Sequence, residues 1–158
     1  MREQCQEVIK VIETKCLPKK DWLTVQSKAF FYQQQADFYR YIAEAFPKED
    51  DPIQTEAKSR AIELYTTAQD LSGKDLDVCN PIRLGLALNL SVFYYDVLDD
   101  KKMGKALALE TITLAKDKLD QSDESTYKEA KHIIELLEDN YNDWITKVDD
   151  DEEEEGAL

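Results

Sequence analysis

The sequence predicts an all-α protein, built as an antiparallel array of about six helices. Each long segment of the 158-residue chain places apolar residues three and four apart, which is the spacing of one helix face. No stretch alternates apolar and polar residues with period two, so we expect no β-sheet. Antiparallel helix pairs also describe solenoids of the tetratricopeptide type, but the chain shows no convincing internal repeat.

The first three helices are predicted over residues 2–17, 22–46 and 52–71. Pro18 ends the first helix, because proline lacks the N–H that a helix interior needs. The second helix is rich in aromatic side chains, and a loop of prolines and acids follows over 47–52. A proline at position 52 then suits the first turn of the third helix.

The fourth helix, predicted over 81–98, is the least polar part of the chain. Asn80 can cap it with its side-chain oxygen, and the proline that follows suits the first helical position. Apolar residues cover most of its circumference, so we expect it to be buried on most sides. Asn89 and Asp96 are seven residues apart and share one face, so this helix keeps one polar line, as a binding groove requires.

Two further helices are predicted over 103–119 and 124–146. Ser122 or Asp123 is expected to cap the last one. Gly104 is expected to weaken the start of the fifth helix, because glycine is a poor helix former. The residues of the fifth helix that we expect to face inward are Met103, Ala106, Leu109 and Thr113.

The chain is strongly acidic, since 20 Lys and Arg against 34 Asp and Glu give a formal net charge of −14. Acids fill the run Asp149–Glu155, so we predict a helical domain over 1–147 and a disordered acidic tail over 148–158. An acidic surface repels polyphosphates and anionic lipids, so we expect neither nucleic acid nor membrane as a partner. No apolar run reaches the roughly 18 residues that suggest a membrane span. We therefore expect a cytoplasmic protein, with the nucleus as a further location.

No residue pattern indicates an enzyme, a metal site or a cofactor. Cys5, Cys16 and Cys79 are too few and too scattered for a disulfide framework or a zinc site. His132 is the only histidine, and no nucleophile, base or ligand cluster accompanies it. We expect a protein without catalytic activity that acts by binding.

Three segments carry a resemblance to one protein family. Asn80–Asp96 reads NPIRLGLALNLSVFYYD, Ser27–Ala45 reads SKAFFYQQQADFYRYIAEA, and Tyr127–Trp144 reads YKEAKHIIELLEDNYNDW. In these segments the chain resembles 14-3-3 proteins, and the similarity runs from about residue 3 to 146. The resemblance implies an adaptor in signalling that works by protein–protein interaction and binds peptides containing phosphoserine or phosphothreonine.

The resemblance also implies the residues of a binding site. Arg40 and Tyr41 match the pair that binds phosphate, which an arginine can hold with two charge-assisted hydrogen bonds. Asn89 and Asn140 match two asparagines that hold the backbone of the bound peptide. The apolar wall of the groove is expected from Leu88, Val92, Leu136 and Trp144.

Two acids are expected to support the pocket. Glu44 lies one turn after Arg40, where it can hold the guanidinium and also compete with phosphate for it. Asp96 matches a family carboxylate close to the pocket.

The chain departs from the family pattern in ways that predict weakened binding. Gln33 stands where the family has a lysine, and the N-terminal helices that supply two further basic side chains have no counterpart in this sequence. Losing two charged hydrogen-bond partners is expected to cost about 3–6 kcal/mol. The same helices build the family's dimer interface, so we expect no family-type dimer. We expect the chain to be either a natural short form of the family or a fragment. Without them, an apolar strip should be exposed around Val8, Ile9, Ile12 and Leu23.

Each assignment has a structural alternative. Arg40 with Glu44 is also an ordinary i,i+4 ion pair, and Asn89 can equally satisfy a neighbouring backbone group. For the apolar groove residues, packing in the core is the alternative that we favour over ligand contact. The competing function is a non-enzymatic helical scaffold or interaction protein that has lost phosphopeptide recognition.

Overall fold

The computed structural model describes residues 1–45 and 51–156, with side chains placed except at 19–20 and 148–156. It confirms the all-α prediction, because six α-helices and no strand occur in these residues. The predicted loop over 47–52 lies mostly outside this range, and the last two residues of the predicted tail lie wholly outside it. The helices are α1 (Arg2–Val11), α2 (Val25–Ala45), α3 (Pro52–Asp75), α4 (Pro81–Val92), α5 (Lys101–Lys118) and α6 (Glu124–Gly156).

The prediction that the first helix ends at Pro18 is close to what the structure shows, because the α- and π-helical segment stops at Cys16 with Leu17 as its C-cap, and a short 3-10 helix follows. A π-helical turn covers Ile12–Cys16, and a 3-10 helix covers Leu17–Trp22. A proline is tolerated in the first turn of such a helix, where its missing N–H has no partner to lose. Helix α2 begins later than predicted, after the Thr24 hydroxyl accepts a hydrogen bond from the backbone N–H of Ser27 at 3.1 Å.

Side-chain caps set the starts of the other four helices. Asp51, Asn80, Asp100 and Asp123 each accept a hydrogen bond from a backbone N–H two or three residues further on, at 2.8–3.0 Å. The predicted cap at Asn80 is therefore confirmed, and Asp123 rather than Ser122 caps α6. These bonds satisfy donors that have no partner within the helix.

The central helix changes geometry before it ends. After α4, the segment Phe93–Val97 forms a π-helical turn, and the chain then reverses at Asp99, which has a φ of 55°. Aspartate tolerates this left-handed conformation better than most residues do. The short reversal places α5 directly against the π-helical turn.

The core consists of three clusters along the helix array, and α4 contributes to two of them. One cluster joins α4 to α5 and α6, the second joins α4 to α2 and α3, and the third joins α1, α2 and α3. Leu84, Leu86 and Leu90 of α4 are at most 1% exposed, so the predicted burial of the central helix is confirmed. Its position places the polar line of α4 next to α2.

Helix α5 packs through a different face from the one predicted. Gly104, Ala108, Ile112 and Ala115 are buried, whereas Met103, Ala106, Leu109 and Thr113 are exposed. The small residues allow close approach: a Cβ atom added at Gly104 would lie 2.8 Å from the Tyr95 Cβ atom. Gly104 therefore allows α5 to pack closely against the π-helical turn, in addition to its effect on helix propensity.

Two other boundaries and one exposed surface also differ from prediction. Helix α3 continues to Asp75, and α6 continues to Gly156, since neither proline nor glycine interrupts α6 before its last residue. Disorder of the acidic tail in solution stays a prediction. The expected apolar strip is wrong for Ile9 and Ile12, which are 4% and 6% exposed because they pack inward from the N-terminal helical segment.

Candidate functional site

The predicted phosphate-binding residues lie where α2, α3 and α4 meet. Arg40, Tyr41 and Glu44 lie three, four and seven residues after Asp37 along α2, so the four residues share one face of that helix. Helix α4 presents Asn89 to this face through the polar line described above.

The Arg40 side chain is held between two acids and one aromatic ring. Its Nη1 atom donates to Glu44 Oε1 at 3.1 Å, and its Nη2 atom lies 3.8 Å from Asp37 Oδ1. Its Cζ atom lies 4.7 Å from the centre of the Tyr41 ring, within the range of a cation–π contact. The Nε atom is buried and has no acceptor in the part of the chain that the structure describes. The guanidinium is thus oriented, while its buried Nε–H group has no hydrogen-bond acceptor among these residues.

Asp37 forms the centre of a buried polar network that joins three helices. Its carboxylate accepts a hydrogen bond from the Tyr65 hydroxyl of α3. Both of its oxygens also accept from Asn89 Nδ2 of α4, at 3.3 and 3.2 Å. Asp37 is 6% exposed and Tyr65 is fully buried, so water competes little for these bonds.

Tyr65 belongs to the site although the residue pattern did not predict it. It lies on the apolar face of α3 and packs against Phe93, with ring centres 5.3 Å apart. The one indication in the sequence was that Tyr65 lies at a predicted core position, because a buried tyrosine hydroxyl needs a hydrogen-bond partner. That partner is 28 residues away in the chain, and helical spacing cannot reveal such a contact.

The network sets the charge states of its members. Burial raises the pKa of Asp37 above its usual value, although Tyr65, Arg40 and Asn89 each act to lower it. Burial also lowers the pKa of Arg40, but the neighbouring Tyr65, Glu44 and Asp37 more than offset this and leave it raised. Burial and the Asp37 charge raise the pKa of Tyr65, so its hydroxyl stays a donor at neutral pH. The site therefore holds a permanent cation beside a carboxylate that is costly to ionise.

The predicted apolar wall is placed unevenly. Leu136 of α6 is 39% exposed, and Leu88 and Val92 of α4 are half-buried against the core cluster shared with α6. The Trp144 indole is 4% exposed and stacks on the Tyr95 ring at 4.3 Å. The placement of Trp144 favours the core-packing alternative, whereas Leu136 remains accessible to a ligand.

Two other predicted site residues are not bonded to the network in the part of the chain that the structure describes. Asn140 is half-buried on α6, and Asp96 is exposed on the π-helical turn. Within the described residues, neither forms a hydrogen bond or ion pair with Arg40, Tyr41 or Asn89. The structure thus brings together Arg40, Tyr41, Glu44 and Asn89 around Asp37, and leaves Asn140 and Asp96 apart.

Position 33, where a cation was expected, carries a neutral side chain. Gln33, on the α2 turn before Asp37, is 9% exposed and adds only a neutral amide. Among the side chains that the structure places, in residues 1–18, 21–45 and 51–147, no group of three or more His, Cys, Asp or Glu is positioned to hold a metal ion. None of the helices described there combines the length and apolarity needed to cross a membrane.

Several known proteins are similar to this chain over most of its length. A family model described as 14-3-3 protein matches residues 1–145. "14-3-3 protein 3" of Entamoeba histolytica is 38% identical over 152 residues, which cover 96% of this chain and 61% of that protein. "Checkpoint signal transducer rad25" of Schizosaccharomyces pombe is 37% identical over 145 residues, covering 92% of this chain and 52% of that protein. "14-3-3 protein" of Giardia intestinalis is 36% identical, with 96% and 59% covered. The chain therefore spans between 52% and 61% of the length of these relatives.

Proposed function

Since the chain belongs to the 14-3-3 family, we propose that it is an adaptor that binds phosphoserine- or phosphothreonine-containing segments of partner proteins. Arg40 and Tyr41 are the residues that we assign to the phosphate. The observation that carries this proposal is the Arg40 side chain, which is oriented by two acids yet keeps a buried Nε–H without an acceptor among the described residues. An unsatisfied buried donor costs about 1–3 kcal/mol, so an anionic oxygen that reaches it is bound favourably.

The chemistry of the pair suits a phosphate monoester. A phosphoserine carries about −1.5 to −2 charges and several acceptor oxygens at neutral pH. Arg40 supplies a planar set of N–H donors, and Tyr41 is 39% exposed, so its hydroxyl is accessible for a further hydrogen bond. Asn89 would hold the backbone of the peptide next to the phosphate, because an amide can pair with any extended chain.

We further propose that phosphate binding is weaker than a pocket with several cations would give. The charge of Arg40 is already shared with Glu44 at 3.1 Å and Asp37 at 3.8 Å. Gln33 contributes no charge to help it. A phosphate must therefore compete with Glu44, whose side chain is 45% exposed and free to swing into solvent.

A peptide titration tests the proposal. A fluorescent peptide with phosphoserine in an arginine-rich context is compared with its unphosphorylated form by anisotropy. We expect the phosphopeptide to bind at least about tenfold more tightly, and Arg40→Ala to weaken it by about 10- to 150-fold, as for one lost charged hydrogen bond of about 1.5–3 kcal/mol.

Arg60→Ala is the matched control, because Arg60 pairs with Glu63 on the exposed surface of α3 at 3.3 Å. It should leave binding unchanged. Equal binding of the two peptides by the wild type would favour the alternative function, a helical scaffold that does not recognise phosphate.

A further inference from the structure

We propose that Asp37 is a positioning residue that fixes the side-chain amide of Asn89 in one orientation, with its NH2 group turned inward and its carbonyl oxygen left to accept a hydrogen bond from a ligand N–H. This inference rests on the proposed function, since it assigns the group that reads the peptide backbone beside the phosphate. Asp37 itself need not touch the ligand.

The orientation follows from what each group can donate. An ionised carboxylate only accepts hydrogen bonds, so the amide facing it must present nitrogen rather than oxygen. Asn89 Nδ2 lies 3.3 and 3.2 Å from the two Asp37 oxygens. The Oδ1 atom of Asn89 must then point away from Asp37, and it has no partner among the described residues.

One further hydrogen bond and one ion pair keep the carboxylate from turning away. The Tyr65 hydroxyl donates to Asp37 Oδ1, and Arg40 Nη2 lies 3.8 Å from the same oxygen. Tyr65 is fully buried against Phe93, so its hydroxyl cannot move without opening the core. The carboxylate of Asp37 thus links Arg40 on α2, the cation that we assign to the phosphate, to Asn89 on α4, the amide that we assign to the peptide backbone.

The substitution Asp37→Asn removes this constraint with little change of volume. An asparagine has both a donor and an acceptor, so it can pair with Asn89 in either amide orientation. The Asn89 amide then populates both orientations or reverses, and a ligand meets NH2 where the wild type offers oxygen. Tyr65→Phe keeps the charge of Asp37 and removes the hydrogen bond from the Tyr65 hydroxyl to that carboxylate.

The first test uses phosphopeptides in which each backbone amide flanking the phosphoserine is replaced in turn by an ester, which deletes one N–H. In the wild type, one ester position should weaken binding about 2- to 12-fold, the range for one neutral hydrogen bond. That penalty should vanish in Asn89→Ala and shrink in Asp37→Asn. Asp70→Asn, an exposed substitution on α3, is the matched control and should keep the full penalty. An ester penalty of equal size in the wild type and Asp37→Asn would overturn the inference.

The second test needs no ligand, so it separates this inference from the proposed function. The side-chain NH2 resonances of Asn89, assigned by their loss in Asn89→Ala, are compared by ¹H–¹⁵N NMR in the free proteins. Donation to a carboxylate should set them apart from the other side-chain amides, and Asp37→Asn should shift them, with a smaller shift in Tyr65→Phe. Unchanged Asn89 resonances in Asp37→Asn would refute the positioning role, whether or not phosphopeptides bind. If the Asp37 variant fails to fold, the absence of any shift in Tyr65→Phe has the same consequence.

Discussion

Replacing Gly104 by alanine should destabilise the protein, although alanine is the better helix former. A Cβ atom at this position would lie 2.8 Å from the Ser91 carbonyl oxygen and 2.8 Å from the Tyr95 Cβ atom. Neither atom can rotate away, because one is backbone and the other is attached directly to it. Helix α5 must therefore shift, and such overpacking costs about 1–3 kcal/mol. The gain in helix propensity offsets about 0.8–1.0 kcal/mol of this, which leaves a net loss of up to about 2 kcal/mol.

Gly85 and Gly73 provide matched controls for this prediction. Both lie within helices, and a Cβ atom added at either would meet no other atom within 4 Å. Gly85→Ala should therefore stabilise the protein by up to about 1 kcal/mol. The free energies of unfolding, measured by urea denaturation with far-UV circular dichroism, should differ by about 1–3 kcal/mol between the Gly85 and Gly104 variants. If Gly104→Ala is as stabilising as Gly85→Ala, then α5 does not pack against the π-helical turn as closely as described.

Three other substitutions test the core, a cap and the buried carboxylate. Trp144→Ala should lose about 3–5 kcal/mol of stability, because the indole is buried against Tyr95. Ile145→Ala should lose much less, because the Ile145 side chain is 38% exposed. Similar losses for the two variants in urea denaturation would contradict the packing of Trp144. Asn80→Ala should lose about 1 kcal/mol of stability, whereas Asn80→Asp should lose much less, because aspartate can also cap the helix. Equal melting temperatures for the two variants would count against the cap. The raised pKa of Asp37 means that its contribution to stability is fully present below its unfolded pKa near 3.8 and is lost as pH rises through the folded value. The wild type should therefore lose stability relative to Asp37→Asn between acid and neutral pH, and a pH-independent difference would speak against this.

The helices and most of their starts could be predicted from the sequence because they depend on local interactions. The cap at Asn80 joins groups two residues apart, and the apolar pattern of α4 directly indicates burial on most sides. Arg40, Tyr41 and Glu44 lie within two turns of one helix, so their proximity follows from helical geometry alone. The family resemblance then indicated what such a cluster is for.

Packing between helices decided the rest, because it depends on which faces meet rather than on the spacing within one helix. The inward face of α5 could not be read from its pattern, since its exposed face carries large apolar residues and its buried face carries Gly104 and small alanines. The bonds of Asp37 to Tyr65 and Asn89 join residues 28 and 52 positions apart, and only the tertiary structure brings them together. The sequence by itself therefore determined an all-α fold and an arginine–tyrosine pair on one helix. The tertiary structure decided that a buried carboxylate holds that arginine and the facing asparagine in register, because a charge removed from water must find its partners wherever the fold places them.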